Sequence, residues 1–289
     1  MNLEPYPDTV RKNSALLEVE NVDVEYPGRG WRQPSFQALK SVSLTIERGE
    51  CLGLVGESGS GKTTLGRAIL GLAEVKRGNL RFEGKEIADL GRRDRRRLSR
   101  DIQVVFQDPY SSLNPAMTVE AILSEPLAAQ GISKADAKRR VRDLLDRVLL
   151  PIDATSRYPR EFSGGQRQRI AIARALALSP KLIVCDEPVS ALDLTTQAKV
   201  LDLFVDIQRQ TGVAYLFISH DLSVVRHISH RVAVMYQGEV IETGPADRVT
   251  STPEQPYTQR LLLASPVPDP HRQRERREAY ARLADAETR

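Results

Sequence analysis

Gly56-Glu57-Ser58-Gly59-Ser60-Gly61-Lys62-Thr63 is the stretch of sequence that decides the fold. It follows a short apolar run, Cys51–Val55, and precedes a helical pattern over residues 62–72. Glycines at this spacing let backbone N–H groups converge on phosphate oxygens, while the lysine reaches the β- and γ-phosphates and the threonine hydroxyl ligates Mg²⁺. A chance glycine-rich turn is the alternative, and the flanking strand and helix argue against it. We therefore expect residues 56–63, together with Thr64, to bind the phosphates of a nucleoside triphosphate.

Two carboxylates end a second apolar run, Leu182-Ile183-Val184-Cys185-Asp186-Glu187. A buried strand that ends in this way places Asp186 to hold Mg²⁺, directly or through water. The next residue, Glu187, is placed to polarise an attacking water as a general base. A helix-capping or surface acidic pair is the other interpretation. With a phosphate-binding loop upstream, the pair predicts nucleotide hydrolysis.

The run Ser163-Gly164-Gly165-Gln166 stands directly before a helical pattern over residues 164–178. A helix that begins there would present unpaired backbone N–H groups and partial positive charge, which together form a phosphate receptor. One bound nucleotide needs one such receptor, and the loop at Gly56 already provides it. The second receptor therefore suggests a nucleotide held elsewhere.

Three further side chains gain meaning only in combination. Gln107 and His220 each follow a predicted strand, and Tyr26 ends one. A histidine after a strand is more often structural than catalytic, and a tyrosine at a strand end usually only packs. Tyr26 could also stack on adenine.

Strand and helix patterns alternate along most of the chain, which predicts a mainly parallel sheet. The first strand patterns indicate a small antiparallel sheet, and the helical patterns at Val119–Ala129 and 135–149 have no strand between them. We therefore expect a leader over residues 1–15, a nucleotide-binding domain over 16–250 with a helical subdomain inserted at about 117–178, and an extension over 251–289. The six arginines in residues 92–100 predict a solvated helix face rather than a lipid or partner patch.

Bulk composition sets the class of protein. The chain has 289 residues, 40% hydrophobic and 28% charged, with a net charge of +4 and a pI near 9.1. It has no run of 18 or more apolar residues, and its first residues lack the apolar core of a signal peptide. Cys51 and Cys185 lie in apolar runs, which predicts buried, reduced thiols and a cytosolic location. The mild positive charge fits anionic ligands, an acidic membrane or nucleic acid equally well.

Taken in their order along the chain, these motifs resemble those of the nucleotide-binding subunit of an ABC transporter over roughly residues 16–245. The resemblance implies a P-loop NTPase (RecA-like) core with a mainly parallel sheet, an N-terminal antiparallel β subdomain and an inserted helical subdomain. It implies catalytic roles for Glu187, His220, Gln107 and Lys62, and metal contacts from Thr63, Gln107 and Asp186. The family's motifs match as follows: Tyr26 as the aromatic loop, residues 56–63 as Walker A, Gln107 as the Q-loop, Ser163 to Gln166 as the signature, Asp186 and Glu187 as Walker B, Asp193 as the end of the D-loop Ser190-Ala191-Leu192-Asp193, and His220 as the switch histidine. Phe162 stands before the signature where many relatives have leucine.

The resemblance extends to a subfamily. One segment resembles the ATPase subunits of the oligopeptide, dipeptide and nickel importers, namely Val105-Phe106-Gln107-Asp108-Pro109-Tyr110-Ser111-Ser112-Leu113-Asn114-Pro115. Its Asp-Pro-Tyr sequence resembles that of the second, F-type ATPase subunit of these importers. The run Ser251-Thr252-Pro253-Glu254-Gln255-Pro256-Tyr257-Thr258-Gln259 looks like the start of their C-terminal extension. Many relatives bind an iron–sulfur cluster through C-terminal cysteines. The sequence has no cysteine after Cys185, so no cluster is expected in this chain.

This resemblance implies ATP and Mg²⁺ as ligands and four kinds of partner. These are a second ATPase subunit, expected to be a different chain, two transmembrane permease subunits and an extracytoplasmic solute-binding protein. The chain would lie peripherally on the cytoplasmic face of the inner membrane, without binding nucleic acid. Whether the cargo is a dipeptide, a longer peptide, nickel or another small solute stays open.

Two other functions share part of this set of motifs. A soluble ABC ATPase of nucleic-acid metabolism or translation would carry either a long coiled coil or two cassettes, and the sequence has no long heptad array and one cassette. The signature run argues against a P-loop kinase or GTPase.

Overall fold

The computed structural model describes residues 15–28, 35–108, 110, 112–264 and 274. Residues 1–14 of the expected leader and residues 265–273 and 275–289 of the expected extension lie outside the described residues, as do Pro109 and Ser111.

The described strands form two sheets. The strands are β1 (Leu17–Tyr26), β2 (Phe36–Ile46), β3 (Cys51–Val55), β4 (Arg77–Phe82), β5 (Lys85–Glu86), β6 (Ile102–Val105), β7 (Leu182–Asp186), β8 (Ala214–Ser219), β9 (Arg231–Tyr236) and β10 (Glu239–Pro245). The first sheet has the order β2-β1-β4-β5 and is antiparallel. The second has the order β10-β9-β3-β8-β7-β6, and only β10 is antiparallel to its neighbour. The expected pair of sheets is therefore confirmed.

Helices pack on both faces of the larger sheet. They are α1 (Lys62–Ile69), α2 (Arg92–Leu98), α3 (Val119–Ala129), α4 (Lys134–Arg147), α5 (Gly164–Leu176), α6 (Leu194–Thr211), α7 (Leu222–Ile228), α8 (Ala246–Ser251) and α9 (Pro256–Ala264), with 3-10 turns at Ile152–Ser156 and Pro159–Glu161. The helix expected over 62–72 ends earlier, because Gly71 adopts a left-handed conformation with φ of 71°.

Alternation along the parallel strands separates two large core clusters on opposite faces of the sheet. In β8, Tyr215 and Phe217 face the cluster that contains α5 and α6, whereas Leu216 and Ile218 face the cluster that contains α1 and the antiparallel sheet. Successive strand residues point to opposite faces, so every β8 side chain is buried. Helix α1 contacts β2 of one sheet and β7 and β8 of the other, so it lies between them.

Helices α3, α4 and α5 contact one another with no strand between them, as the helical pattern predicted. Within the described part of the chain, none of the helices has the length and apolarity needed to cross a membrane. Helix α2, the arginine-rich segment, has no buried residue, which agrees with the predicted solvated face. Arg95 is partly withdrawn and donates a hydrogen bond to the Ile87 carbonyl at 2.6 Å.

Both cysteines lie in strands and are fully buried against the same core cluster. Burial raises the pKa of the Cys51 and Cys185 thiols well above their usual range.

Candidate functional site

The candidate site lies at the carboxyl ends of four neighbouring parallel strands, β3, β8, β7 and β6. Gly56 follows β3, His220 follows β8, Glu187 follows β7, and Gln107 comes two residues after β6. Because these strands are parallel, their carboxyl ends meet at one edge of the sheet, where ligands bind in open α/β folds.

The phosphate loop joins β3 to α1 and closes around the side chain of Lys62, which is 5% exposed. Its ammonium donates hydrogen bonds to the carbonyl oxygens of Gly56 at 2.7 Å and Glu57 at 2.8 Å. Gly56 has φ of 153°, and a side chain there would meet the Met235 carbonyl at 2.2 Å. The glycine therefore allows the loop to run close against β9.

Burial perturbs two charged groups of the site in opposite directions. It lowers the pKa of Lys62, and the nearby carboxylates of Glu187 and Asp186 oppose this shift. It raises the pKa of Asp186, against a hydrogen bond from Thr63. Both charged forms thus lack the solvation that water would give them. The neutral carbonyls now around Lys62 would be weaker acceptors for its ammonium than an anionic phosphate.

A hydroxyl and a carboxylate meet beside the loop. Thr63 Oγ1 donates a hydrogen bond to Asp186 Oδ1 at 3.1 Å, across 123 residues of sequence. Hard oxygen donors of this kind suit Mg²⁺, and the pair lies next to the lysine that would face the phosphates. The residues present therefore fit a magnesium–nucleotide complex.

Glu187 contacts two of the other predicted catalytic residues, Gln107 and His220. Gln107 Nε2 donates to Glu187 Oε2 at 3.2 Å, and His220 Nδ1 lies 3.1 Å from the same oxygen. The backbone of Glu187 is left-handed, with φ of 47°, and its N–H donates to the Ile218 carbonyl at 3.0 Å. A non-glycine residue in this region is strained, and such strain concentrates at functional sites.

A cavity of about 430 Å³ opens beside these groups. Its lining includes Thr63, Gln107 and Asp186, and two arginines that were not among the predicted site residues, Arg67 and Arg174. Arg67 lies four residues after Thr63 in α1, so helical spacing alone could have placed it on the same face. Arg174 is largely buried, and its Nη1 donates to the Ser112 carbonyl at 2.5 Å.

The signature run caps α5, and this corrects the expectation of a bare helix end. Ser163 Oγ accepts a hydrogen bond from the Gln166 N–H at 3.3 Å, and Gln166 Oε1 accepts one from the Ser163 N–H at 3.0 Å. This reciprocal arrangement is a capping box. The first intrahelical bond runs from the Arg167 N–H to the Ser163 carbonyl, so the N–H groups of Gly164 and Gly165 have no intrahelical acceptor. Within the described residues, no hydrogen bond or ion pair joins residues 163–166 to the phosphate loop.

Among the described residues, no hydrogen bond joins Asp193 or Tyr26 to the Glu187 cluster. Asp193 caps α6 by accepting a hydrogen bond from the Thr196 N–H at 3.0 Å. The Thr196 hydroxyl, and then this N–H, lower the pKa of the Asp193 carboxyl. Tyr26 ends β1, pairs with Phe36 and packs against the core. Their contacts with a nucleotide stay predictions.

Tyr257 was not among the predicted site residues, although it lies in the run of residues 251–259 that resembles the importers' C-terminal extension. It lies in α9, and its hydroxyl accepts a hydrogen bond from the Glu57 N–H in the phosphate loop at 2.9 Å. The two residues are 200 positions apart. No local pattern could have paired them.

Known proteins to which the chain is similar carry names of ABC transporters or of import ATP-binding proteins. The family model described as ABC transporter matches residues 39–190. A glutathione import ATP-binding protein, GsiA of Salmonella paratyphi A, is 49% identical over 275 residues, which cover 93% of this chain and 44% of that protein. A peptide ABC transporter ATP-binding protein, y4tS of Sinorhizobium fredii, is 48% identical over 267 residues, covering 91% of this chain and 76% of that protein. The chain thus spans less than half the length of GsiA.

A solved structure with a similar fold matches most of the chain. It is a dimeric ATP-binding cassette, MJ0796, bound to ADP and Pi in a post-hydrolysis state. It is 30% identical, with a TM-score of 0.71, and the match covers 80% of this chain and 98% of that one.

Proposed function

Because the chain belongs to the ABC transporter family, we propose that it is the ATP-hydrolysing subunit that powers an importer of peptides or related small solutes. One observation carries the catalytic part of the proposal. Gln107 and His220 both contact the same carboxylate oxygen of Glu187, at the sheet edge that also holds Lys62 and Asp186. Relatives whose names refer to glutathione import and peptide transport support the importer part.

Each residue of this cluster has a role in the proposed hydrolysis. Lys62 donates hydrogen bonds to the β- and γ-phosphate oxygens. Glu187 accepts the proton of the water that attacks the γ-phosphorus, so that the bond to ADP breaks and inorganic phosphate forms. His220 holds Glu187 Oε2 in place. Gln107 donates through Nε2, which leaves the oxygen of its amide available as a ligand.

Mg²⁺ fits beside these groups. The Thr63 hydroxyl, the Asp186 carboxylate and the Gln107 amide oxygen would hold it, and the ion would neutralise charge on the phosphates. The remaining residues of the loop, 56–64, would contact the phosphates through backbone N–H groups.

The signature run implies a second ATPase subunit. The Gly164 and Gly165 N–H groups would bind the phosphate of a nucleotide held by the partner's loop, and Asp193 would lie at the same interface. The dimeric state named for the cassette MJ0796 supports this arrangement. Two permease subunits, a solute-binding protein and a position on the cytoplasmic face of the membrane complete the proposed assembly. Residues 16–250 would form the nucleotide-binding domain, and residues 251–289 the extension.

The substitution Glu187→Gln tests the proposal. It removes the general base but keeps the hydrogen-bonding shape, so ATP should bind and close the dimer without being hydrolysed. We expect ATPase activity to fall at least about 100-fold, the lower end of general-base contributions. Size-exclusion chromatography with ATP and the partner ATPase should show a trapped closed complex.

The matched control is Asp202→Asn, an exposed carboxylate on α6 outside the site. It should hydrolyse ATP at the wild-type rate. Retention of activity in Glu187→Gln, or the absence of a trapped complex, would contradict the proposal. Recovery of nucleic acid, rather than two integral-membrane subunits, with the purified chain would favour the soluble alternative, and such binding would weaken steeply with salt.

A further inference from the structure

Helix α9 is joined to the phosphate loop by a hydrogen bond of Tyr257. Tyr257 is 6% exposed, and its hydroxyl accepts the Glu57 N–H at 2.9 Å. Its ring lies against that of Tyr236 on β9, with the ring centroids 4.3 Å apart. The hydroxyl is thus aimed at the loop by a packed aromatic pair.

The contact acts on the peptide group that also holds Lys62. The Gly56 carbonyl and the Glu57 N–H belong to one planar peptide unit. Its oxygen accepts a hydrogen bond from Lys62 Nζ at 2.7 Å, while its N–H donates to Tyr257. Gly56 has no side chain to restrict its backbone, so these two hydrogen bonds help to fix the orientation of the peptide. Tyr257 therefore fixes one end of the unit whose other end orients the ammonium.

The position of α9 is itself set by buried contacts. Glu242 on β10 is 7% exposed, and its carboxylate accepts the N–H groups of Glu254 at 2.9 Å and Gln255 at 3.2 Å, just before the helix. Tyr257 joins a core cluster with Val232, Val234 and Val249. These contacts place the start of α9 beside the phosphate loop.

We propose that Tyr257 is a positioning residue for the phosphate loop, through which α9 sets the affinity of this chain for ATP. By holding the Gly56–Glu57 peptide, it keeps the Lys62 ammonium and the neighbouring N–H groups in the geometry that receives phosphates. The inference rests on the proposed function in one respect, namely that Lys62 binds the phosphates of ATP.

The test compares Tyr257→Phe with Tyr236→Phe in the full 289-residue chain. Both variants keep the stacked rings and lose one hydroxyl. The Tyr236 hydroxyl accepts a hydrogen bond from Gln237 Nε2 at 3.0 Å and has no hydrogen bond to the loop, so it provides the control. In calorimetric titration with Mg·ATP, we expect the Kd to rise about fivefold for Tyr257→Phe, the value of one net hydrogen bond, and to stay within about twofold for Tyr236→Phe. In ATPase assays over a range of ATP concentrations, the KM of Tyr257→Phe should rise, whereas its kcat, reached at saturating ATP, should stay nearly unchanged.

Hydrogen exchange reports on the bond without nucleotide. The Glu57 amide should exchange faster in Tyr257→Phe than in the wild type or Tyr236→Phe. Equal exchange and equal Kd in the two variants, or tighter binding by Tyr257→Phe, would overturn the inference. If neither the wild type nor Lys62→Ala binds ATP, the proposed function fails first, and the exchange measurement still decides whether Tyr257 holds the loop.

Discussion

Gly165 of the signature run packs against Thr196 of α6, and this contact leads us to expect that alanine at residue 165 destabilises the fold. A Cβ atom on Gly165 would lie 2.3 Å from Thr196 Cγ2, much closer than packed carbon atoms approach. The next nearest atoms, Thr196 Cβ and Oγ1, lie at 3.7 and 4.0 Å. One methyl group therefore accounts for the whole clash.

The magnitude of the effect follows from two opposing contributions. Overpacking of this kind costs about 1–3 kcal/mol. Alanine in place of glycine within a helix returns up to about 1 kcal/mol. We expect Gly165→Ala to lower the free energy of unfolding by about 1–2 kcal/mol, measured by urea denaturation at constant ionic strength. ATPase activity should fall as well, because the N-terminus of α5 must move.

Two variants separate the clash from other effects of the substitution. In Gly164→Ala the new Cβ would lie 3.6 Å from Leu192 and 3.7 Å from Tyr110, which is ordinary contact, so stability should be unchanged or slightly higher. Thr196→Ser removes the clashing methyl but keeps the backbone N–H that Asp193 accepts. The double variant Gly165→Ala/Thr196→Ser should therefore recover at least about 1 kcal/mol relative to Gly165→Ala. A wild-type stability for Gly165→Ala, or no recovery in the double variant, would refute the reasoning.

Two further predictions concern polar groups away from the nucleotide, one on an imidazole and one on a fully buried hydroxyl. Partial desolvation of the ring lowers the pKa of His230, whose Nδ1 accepts a hydrogen bond from the Cys51 N–H at 3.0 Å, while nearby Glu50 opposes the shift. The stability that neutral His230 contributes is therefore present above its ordinary pKa of about 6.5 and is lost as the pH falls through the lower folded value. His230→Asn keeps a hydrogen-bond acceptor and does not titrate, so it should flatten the decline in the urea midpoint between pH 7 and pH 5. An unchanged slope would exclude this residue as the source of the decline. Thr258 is fully buried, and its hydroxyl has no hydrogen-bond partner among the described residues. Thr258→Val should therefore raise the free energy of unfolding, measured by urea titration, by about 1 kcal/mol. A lower free energy of unfolding would instead show that a bound water satisfies the hydroxyl.

The parts of the fold that the sequence predicted have strong local signals. The strand Cys51–Val55 is continuously apolar, and glycines and a lysine follow it at fixed spacing, so both the element and its ligand could be predicted. The meeting of Glu187, Gln107 and His220 also follows from the sequence, because each comes after a strand of one parallel sheet. The family resemblance added their roles, which stay proposals.

The elements that the sequence did not predict are short or depend on distant contacts. Strand β4 buries only Leu80 and Phe82 among polar neighbours, and α7 and α8 have seven and six residues, too few for a helical period to be read. The Ser163 and Gln166 spacing is that of a capping box, so the capped end of α5 could have been predicted. The contact of Tyr257 with Glu57 could not, since it depends on how the chain returns to the loop after 200 residues.

The two buried cysteines make the chain a convenient host for site-directed probes. They are the only thiols in its 289 residues, and burial keeps both protonated and out of reach of alkylating reagents in the folded state. A cysteine introduced on an exposed helix face, such as that of α2 or α4, would therefore take up a spin label or fluorophore selectively, without prior replacement of the native pair. Distances between such labels could follow the opening and closing of the assembly in solution.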